Sequence, residues 1–439
     1  MTSEPRLPEL KSAPAPMTGA AEGTAYACVM QCNRCGFCTS FCPTYLATGD
    51  EALSPRGRNQ AYRAVLEGRI PHASEGDRLF STCLLCGECT TVCFSEVPTA
   101  KIMGNARGKI FRQEGEPALL KFILRFILPR PRWMGYIFRA AFLMKKAGLS
   151  RLSNRMGLLG WISRELSAAE DMVDDVPWLF ARERLKAPAR SPGGPAPDVV
   201  FFLSCGSHYL RPSVAESTAY LLERLGVSYA LADNVCCGLP GMTYGDFEAA
   251  RRLAVINIDR FEKYPDSVIL VDDSSCAATL KDYPSLFQEG TADHTRAVRL
   301  SGRVKDLSEF LKDQKWPDTS GAEPVTVTYH DPCKAQYAQK IVSPPRTVLS
   351  AFPSVELTEL PESDQCCGGG GTYSFMHPDI SREVLSRKTA NIMSTGAEVV
   401  LTSAVSCLIQ VDYGLRRARS GVRALHLSEF LKRLLDRPH

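Results

Sequence analysis

From Asp198 onward, short apolar runs alternate with longer stretches of helical period. One apolar run ends in Cys205, and another, Val268-Ile-Leu-Val271, leads to Cys276. Val325-Thr-Val-Thr-Tyr329 and Val399-Val-Leu-Thr402 follow the same plan, ahead of Cys333 and Cys407. Between them lie amphipathic stretches at Ser213–Leu225, Asp246–Tyr264 and Pro378–Ser394. Strands alternating with helices predict a parallel sheet covered by helices. The first part of the chain has a different pattern. Arg58–Glu67 has a helical period, broken at Gly68 and Pro71, and a second helical pattern covers Thr99–Gln113. The predicted fold class is therefore α followed by α/β.

The α/β part is duplicated. Cys205, Cys236 and Cys276 recur 128, 130 and 131 residues later as Cys333, Cys366 and Cys407. The pair Cys236-Cys237-Gly238 recurs as Cys366-Cys367-Gly368, and Leu307-Ser-Glu-Phe-Leu-Lys312 recurs unchanged as Leu427-Ser-Glu-Phe-Leu-Lys432. Two modules, 197–320 and 321–439, follow from this repeat. In each, two cysteines directly follow strands and so gather at the carboxyl edge of the sheet, where open α/β folds build their sites. The glycines after each pair allow a tight backbone path. Each module can thus offer four thiolates: Cys205, Cys236, Cys237 and Cys276 in the first, and Cys333, Cys366, Cys367 and Cys407 in the second. Their repeated placement argues for a metal or cluster in at least one module.

Residues 118–196 read as a helical bridge with a linker. Leu119–Leu128 is strongly apolar and stops at Pro129 and Pro131; Trp133–Leu149 resumes with basic residues between apolar ones. From Glu116 to Glu165 no acidic residue intervenes, while Lys121, Arg125, Arg130, Arg132, Arg139, Lys145, Lys146, Arg151, Arg155 and Arg164 are basic. Such a segment suits an anionic membrane surface or access to quinone. The preferred expectation is instead a helix pair whose apolar side packs on the protein. Ser191–Pro197 reads as a domain linker. Residues 1–24, rich in Pro, Ala, Ser and Glu, read as a mobile tail without a signal peptide. A net charge of +4 over 439 residues gives no sign of a nucleic-acid partner. No run is long and apolar enough to span a bilayer. All but one of the 17 cysteines fall in ligand-like clusters, which points to a reducing compartment. The expected location is the cytoplasm, with peripheral attachment to the inner face of the membrane.

The densest chemistry lies in 25–117, predicted as an all-α domain. Cys32-x-x-Cys35-x-x-Cys38-x-x-x-Cys42, followed by Pro43, recurs as Cys83-x-x-Cys86-x-x-Cys89-x-x-x-Cys93. This spacing wraps three thiolates around one corner of a [4Fe–4S] cluster and points the fourth away, to complete the other cluster in two-cluster ferredoxins. One cluster is assigned to Cys32, Cys35, Cys38 and Cys93, and the other to Cys83, Cys86, Cys89 and Cys42. Zinc is the rival, but its sites generally use paired Cys-x-x-Cys arms. The arginines of Pro55-Arg56-Gly57-Arg58 either offset cluster charge or are solvated. Cys28 lies outside every motif and reads as a buried thiol.

Two such runs followed by two Cys…Cys-Cys-Gly…Cys modules resemble the iron–sulfur subunit of glycolate oxidase, with relatives in lactate utilisation and anaerobic glycerol-3-phosphate dehydrogenase systems. Further matching stretches are Cys35-Gly-Phe-Cys-Thr39, Cys42-Pro-Thr-Tyr45, the Pro-Arg-Gly-Arg turn, Cys236-Cys-Gly-Leu-Pro-Gly241 and His330-Asp-Pro-Cys333. The resemblance covers about 25–439. It implies a chain that carries electrons from a flavoprotein dehydrogenase subunit, which oxidises glycolate or lactate, toward membrane quinone or another acceptor. A further cluster or zinc is implied in one or both modules.

Heterodisulfide reductases, a more distant resemblance, end each module in Cys-x-x-Cys and so supply five cysteines. Here the last position is Thr279 or Gln410, which argues against disulfide reduction as the alternative activity. Lys334 stands where relatives often carry a second histidine, so His330 reads as a satisfied structural residue. No nucleophile elbow, phosphate-binding loop or dinucleotide fingerprint is present, so no catalytic residue is assigned and substrate oxidation is expected on a partner chain.

Overall fold

The computed structural model describes residues 22–70, 76–115, 118–185, 196–317 and 323–436. The expected tail falls largely outside these residues, as do positions 191–195 of the expected linker. Next to the tail, Glu22–Met30 is helical and buries Ala25, Cys28 and Val29 against Tyr62, Phe80, Ile102 and Met103. Cys28 is the buried thiol expected from sequence.

The described part of 22–115 contains helices and no strand. Pro55–Leu66 begins as helix chemistry requires, with Pro55 in the first turn and the Ser54 hydroxyl accepting from Gly57 N at 3.0 Å. Thr99–Glu114 supplies the other long helix. Its Gly108 lies against Gly245 of the first module, where a β-carbon on Gly245 would come within 2.6 Å of Gly108 N, so backbone meets backbone there.

Each module is a four-stranded, all-parallel sheet. The first comprises β1 (Val199–Phe202), β2 (Tyr229–Leu231), β3 (Val268–Val271) and β4 (Val304–Asp306), in spatial order β2-β1-β3-β4. The second comprises β5 (Val325–Tyr329), β6 (Val355–Leu357), β7 (Val399–Thr402) and β8 (Arg423–His426), in order β6-β5-β7-β8. The central strands are apolar at nearly every position because helices cover both faces. The strand order reverses between β1 and β3, and again between β5 and β7. Cys205 and Cys276 follow the first pair of strands, and Cys333 and Cys407 the second, so the thiols flank the crevice where such sheets take ligands.

The repeated Leu-Ser-Glu-Phe-Leu-Lys segment has a local reason. Asp306 and His426 each accept from the amide of the serine two residues on, and Glu309 and Glu429 return a bond to the amides of those caps. These are reciprocal capping boxes that start a helix directly after the last strand.

The modules share a core, in which Val199, Phe201 and Leu270 pack in one cluster with Val327, Tyr329 and Leu401. Ser274 N donates to Ser403 O at 2.9 Å, and the two hydroxyls lie 2.8 Å apart. Buried Asp273 spans the seam. One carboxylate oxygen accepts from Ser275 N (2.9 Å) and Cys276 N (3.2 Å), and the other from Val405 N (2.8 Å). A single side chain therefore caps the helices that carry Cys276 and Cys407.

The bridge is helical and straddles both modules. Leu124 and Leu128 pack into the first, and Met172 packs beside Leu385 and Leu408 of the second. Its outer side departs from the expectation of an apolar face packed on the protein. Leu119, Trp133, Tyr136, Leu143, Leu152, Met156, Trp161 and Leu166 are exposed, Trp161 to 88%. The helix Pro131–Lys146 and the short helices Leu149–Arg155 and Leu158–Ile162 form an outer layer that has nothing stacked above it among the described residues. No helix among them is long and apolar enough to cross a membrane.

Candidate metal centres

The two cysteine runs have the same backbone. Arg34 and Gly36 in the first, and Leu85 and Gly87 in the second, have positive φ (58°, 82°, 52° and 96°). Two left-handed residues in each Cys-x-x-Cys-x-x-Cys turn the chain tightly enough to aim three thiols inward, and glycine serves the second of these positions without strain.

The fourth cysteines cross over. Burial first, and then the neighbouring thiolates of Cys93, Cys32 and Cys35, push the Cys38 thiol up to about 11. Burial and then Cys83 and Cys42 push Cys89 well above its ordinary value. A small cavity is lined by Cys42, Cys83, Cys86 and Cys89 together, with Arg58, Gly87 and Leu84 in its wall. A bound cation would neutralise thiolates held together in this way and favour their charged form. The donor set and the cavity both fit a thiolate-held cluster.

One buried arginine, Arg58, lines this cavity, and a second, Arg107, holds the carbonyl of Cys83. Arg58 is 1% exposed and donates to Leu79 O (2.8 Å), Thr44 Oγ1 (2.9 Å) and Thr82 Oγ1 (3.0 Å), with Nη1 4.0 Å from Cys42 Sγ. No carboxylate pairs with it among the described residues. A guanidinium buried among neutral acceptors requires a nearby anion, which thiolates or a cluster supply. Of the two readings of the Pro-Arg-Gly-Arg turn, Arg58 fits charge compensation, whereas Arg56 is half exposed and paired with Glu51 at 2.5 Å. Arg107 was not legible in sequence. It donates to the carbonyls of Phe80 (2.9 Å), Ser81 (2.9 Å) and Cys83, and reaches Thr243 O (2.8 Å) in the first module. Its partners are main-chain carbonyls far along the chain, which leave no trace in local pattern.

In the first module the thiols form a contact chain from Cys205 to Cys236, Cys237 and Cys276. Their surroundings are apolar and acidic: Asn257 fixes the loop by donating to Cys236 O (3.1 Å), and the buried Asp272 accepts from Ser207 Oγ (3.0 Å). The second module repeats the chain as Cys333, Cys366, Cys367 and Cys407, in cationic company. Lys388 is buried there, donating to Glu362 O and Ser363 O; burial holds its ammonium below the usual lysine range, while Cys367, Asp364 and Cys366 pull the other way. His330 lies against this set; the Ser363 main chain approaches its ring, but neither ring nitrogen completes a hydrogen bond of full geometry, so the structural role expected for it is at most partly met.

The ferredoxin-like cysteines meet the second module directly. Leu84 packs with Cys366 and Tyr373 in one cluster that also includes Cys86 and Cys333. Tyr373 Oη donates to Thr82 O at 2.9 Å, Lys334 Nζ to Leu85 O at 3.3 Å, and Gln365 Nε2 to Glu88 Oε1 at 2.8 Å. Burial first and then Asp364 push the Glu88 carboxyl up to about 8. Lys334, an anomaly in the sequence, thus serves as a docking residue.

Comparison with known proteins finds matches in three stretches of the chain. A family model described as a 4Fe-4S dicluster domain matches residues 29–97, and one described as a cysteine-rich domain matches 199–281 and 327–412. The chain is 29% identical over 413 residues to the probable glycolate oxidase iron-sulfur subunit of Bacillus subtilis, covering 92% of this chain and 93% of that protein. It is 28% identical to the glycolate oxidase iron-sulfur subunit of Escherichia coli, covering 92% and 94%. Lactate utilization protein A of an Exiguobacterium species is 31% identical over 237 residues, which span 54% of this chain and 97% of that protein.

Proposed function

The chain belongs to the family of glycolate oxidase iron–sulfur subunits and their lactate-utilization relatives, and from that premise we propose that it is the electron-transfer subunit of a flavin-dependent 2-hydroxy-acid dehydrogenase. A flavoprotein partner oxidises glycolate or lactate, and this chain carries the electrons toward quinone or another acceptor. Cys32, Cys35, Cys38 and Cys93 hold one [4Fe–4S] cluster, and Cys42, Cys83, Cys86 and Cys89 the other. The cysteines of one or both modules hold a further cluster or zinc. The working division is 25–117, 118–196, 197–320 and 321–439. When bound, such clusters accept and release single electrons.

The observation that carries this reading is the packing of Cys86 and Leu84 against Cys333 and Cys366. It supports a path from one thiol set to the next through a few side chains. Leu84 and Tyr373 keep water from the gap, while Arg58 and Arg107 hold positive charge where electrons would add negative charge. The exposed apolar layer of the bridge, with Lys121, Arg130, Arg132, Arg151 and Arg155 lacking a carboxylate partner among the described residues, suits an anionic membrane surface. Arg125, Arg139 and Lys145 are already paired with Asp246, Glu183 and Glu170.

The test is anaerobic purification of the tagged chain from its native cell, with glycolate, lactate and glycerol 3-phosphate added singly. Bleaching of the visible iron–sulfur band by one hydroxy compound, with a flavoprotein in the eluate, is the expected result. Bleaching by a strong chemical reductant alone, with no flavoprotein, overturns it. One observation favours a second reading, action on a disulfide or thiol: a crevice lined by Glu362, Gln365, Arg387 and Lys388 reaches Cys366. Reoxidation of the reduced chain by added disulfides would support that reading.

A further inference from the structure

Although the modules repeat each other, they differ at one buried position beside the thiols. Three residues before Cys333 stands His330; three residues before Cys205 stands Phe202. Phe202 is an ordinary core residue, stacked on Phe261 with ring centroids 6.2 Å apart. His330 is 0% exposed in the same place in its own sheet, at the end of β5. Its main chain is satisfied, since His330 N donates to Leu401 O at 2.9 Å. Its ring is not, because neither Nδ1 nor Nε2 completes a hydrogen bond of full geometry. A buried imidazole whose nitrogens make no full hydrogen bond is costly, and such a group calls for an explanation such as an ion.

The neighbours supply the explanation. One ring nitrogen of His330 and the Sγ atoms of Cys367 and Cys407 all lie within 4.8 Å of one another. This is a small nitrogen–sulfur donor set of the kind that takes zinc or iron. The Ser363 main chain lies on the ring. A histidine ligand is commonly oriented in this way, with one nitrogen turned to a carbonyl and the other left with its lone pair for metal. We propose that His330 is a metal ligand of the second module, coordinating through a ring nitrogen the same ion as Cys367 and Cys407. The second module then has five donors, four thiolates and one imidazole, where the first has four thiolates and a phenylalanine. The two sites are chemically distinct, and the one in contact with Cys86 is the mixed nitrogen–sulfur site.

This rests on the reading that the second module holds metal, and the experiment separates the two claims. Iron and zinc per chain, and their release to a chelator, are measured on the anaerobically purified holoprotein. The variants are His330→Phe, which reproduces the first module's residue, His330→Cys, and the pair Cys366→Ser/Cys367→Ser. The expected result is at least about tenfold faster release in His330→Phe, return to within threefold of wild type in His330→Cys, and loss of the module's metal in the double serine variant. If only the double variant loses metal, the module holds metal without His330 and the proposal fails. If no variant loses any, both claims fail. Should His330→Phe not fold, wild-type protein labelled with 15N-histidine decides. A histidine nitrogen coupled to a paramagnetic iron centre, or a nitrogen shell at about 2.0–2.1 Å around zinc, supports the proposal, and absence of both overturns it.

Discussion

Replacing Asp273 by Ala should weaken both modules at once, although the residue belongs to only one of them. Its carboxylate accepts three main-chain N–H groups at 2.8–3.2 Å, two on its own helix and one, Val405 N, on the helix of the other module. Ala404 precedes Val405 at the corresponding cap and supplies no acceptor of its own. Loss of a helix cap costs about 1–2 kcal/mol, so two caps lost together give about 3 kcal/mol. For a pair of modules this size that corresponds to a Tm lower by roughly 6–12 °C. Asp273→Asn divides the effect. An amide has one oxygen and one NH2 group, so it can cap one helix and must turn a donor toward the other; about half the loss is expected. The assay is thermal unfolding of the holoprotein, with metal content measured in parallel, since Cys276 and Cys407 lie on the two capped helices. A fall below about 2 °C for Asp273→Ala would refute the shared-cap argument, and equal losses for Ala and Asn would refute its division between two oxygens.

Other expectations follow from single side chains. Arg58→Leu leaves the Cys42, Cys83, Cys86 and Cys89 set without its buried cation; breaking such a pairing costs about 3–5 kcal/mol, and the variant should lose roughly half of the iron held by the two runs, read by metal analysis and visible absorbance. Unchanged iron would show that Arg58 is structural only. His208 is held neutral, down to about 4, by burial first and then by Arg182, while Glu183 pulls the other way. The unfolded chain binds the extra proton below about 6.5, so stability is fully present above that pH and is lost as pH falls toward 4; His208→Phe should flatten this slope in Tm against pH, and an unaltered slope would assign it elsewhere. Trp161→Ser with Arg151→Glu and Arg155→Glu should reduce sedimentation with anionic vesicles about tenfold or more and leave iron content unchanged. Equal sedimentation would exclude this face as the contact.

Much of the molecule could be read from residues near one another in the chain. Spacings of three and four residues are covalently fixed distances, so the Cys32 and Cys83 runs declared their ligand loops, and the two left-handed turns in each supply the geometry that spacing demands. The same holds for the duplicated modules, the strands ahead of Cys205 and Cys333, and the recurrence of Leu307–Lys312 as Leu427–Lys432, because strand period and repeats are legible along the chain; that the recurring segments open on capping boxes at Asp306 and His426 is seen only in the structure. Tertiary structure decided the rest, through contacts between residues far apart in the chain. Arg107 finds carbonyls of two domains, Lys334 turns to Leu85 O, and Asp273 crosses the seam to Val405, and no local pattern encodes such meetings. The bridge's alternation of apolar and basic residues fits a helix that is covered or one that is bare. Only the absence of a layer above Trp133 and Trp161 among the described residues distinguishes these. For His330 the sequence offered a histidine beside a cysteine motif; burial without a full hydrogen bond on its ring, next to Cys367 and Cys407, came from folding β5 and β7 side by side.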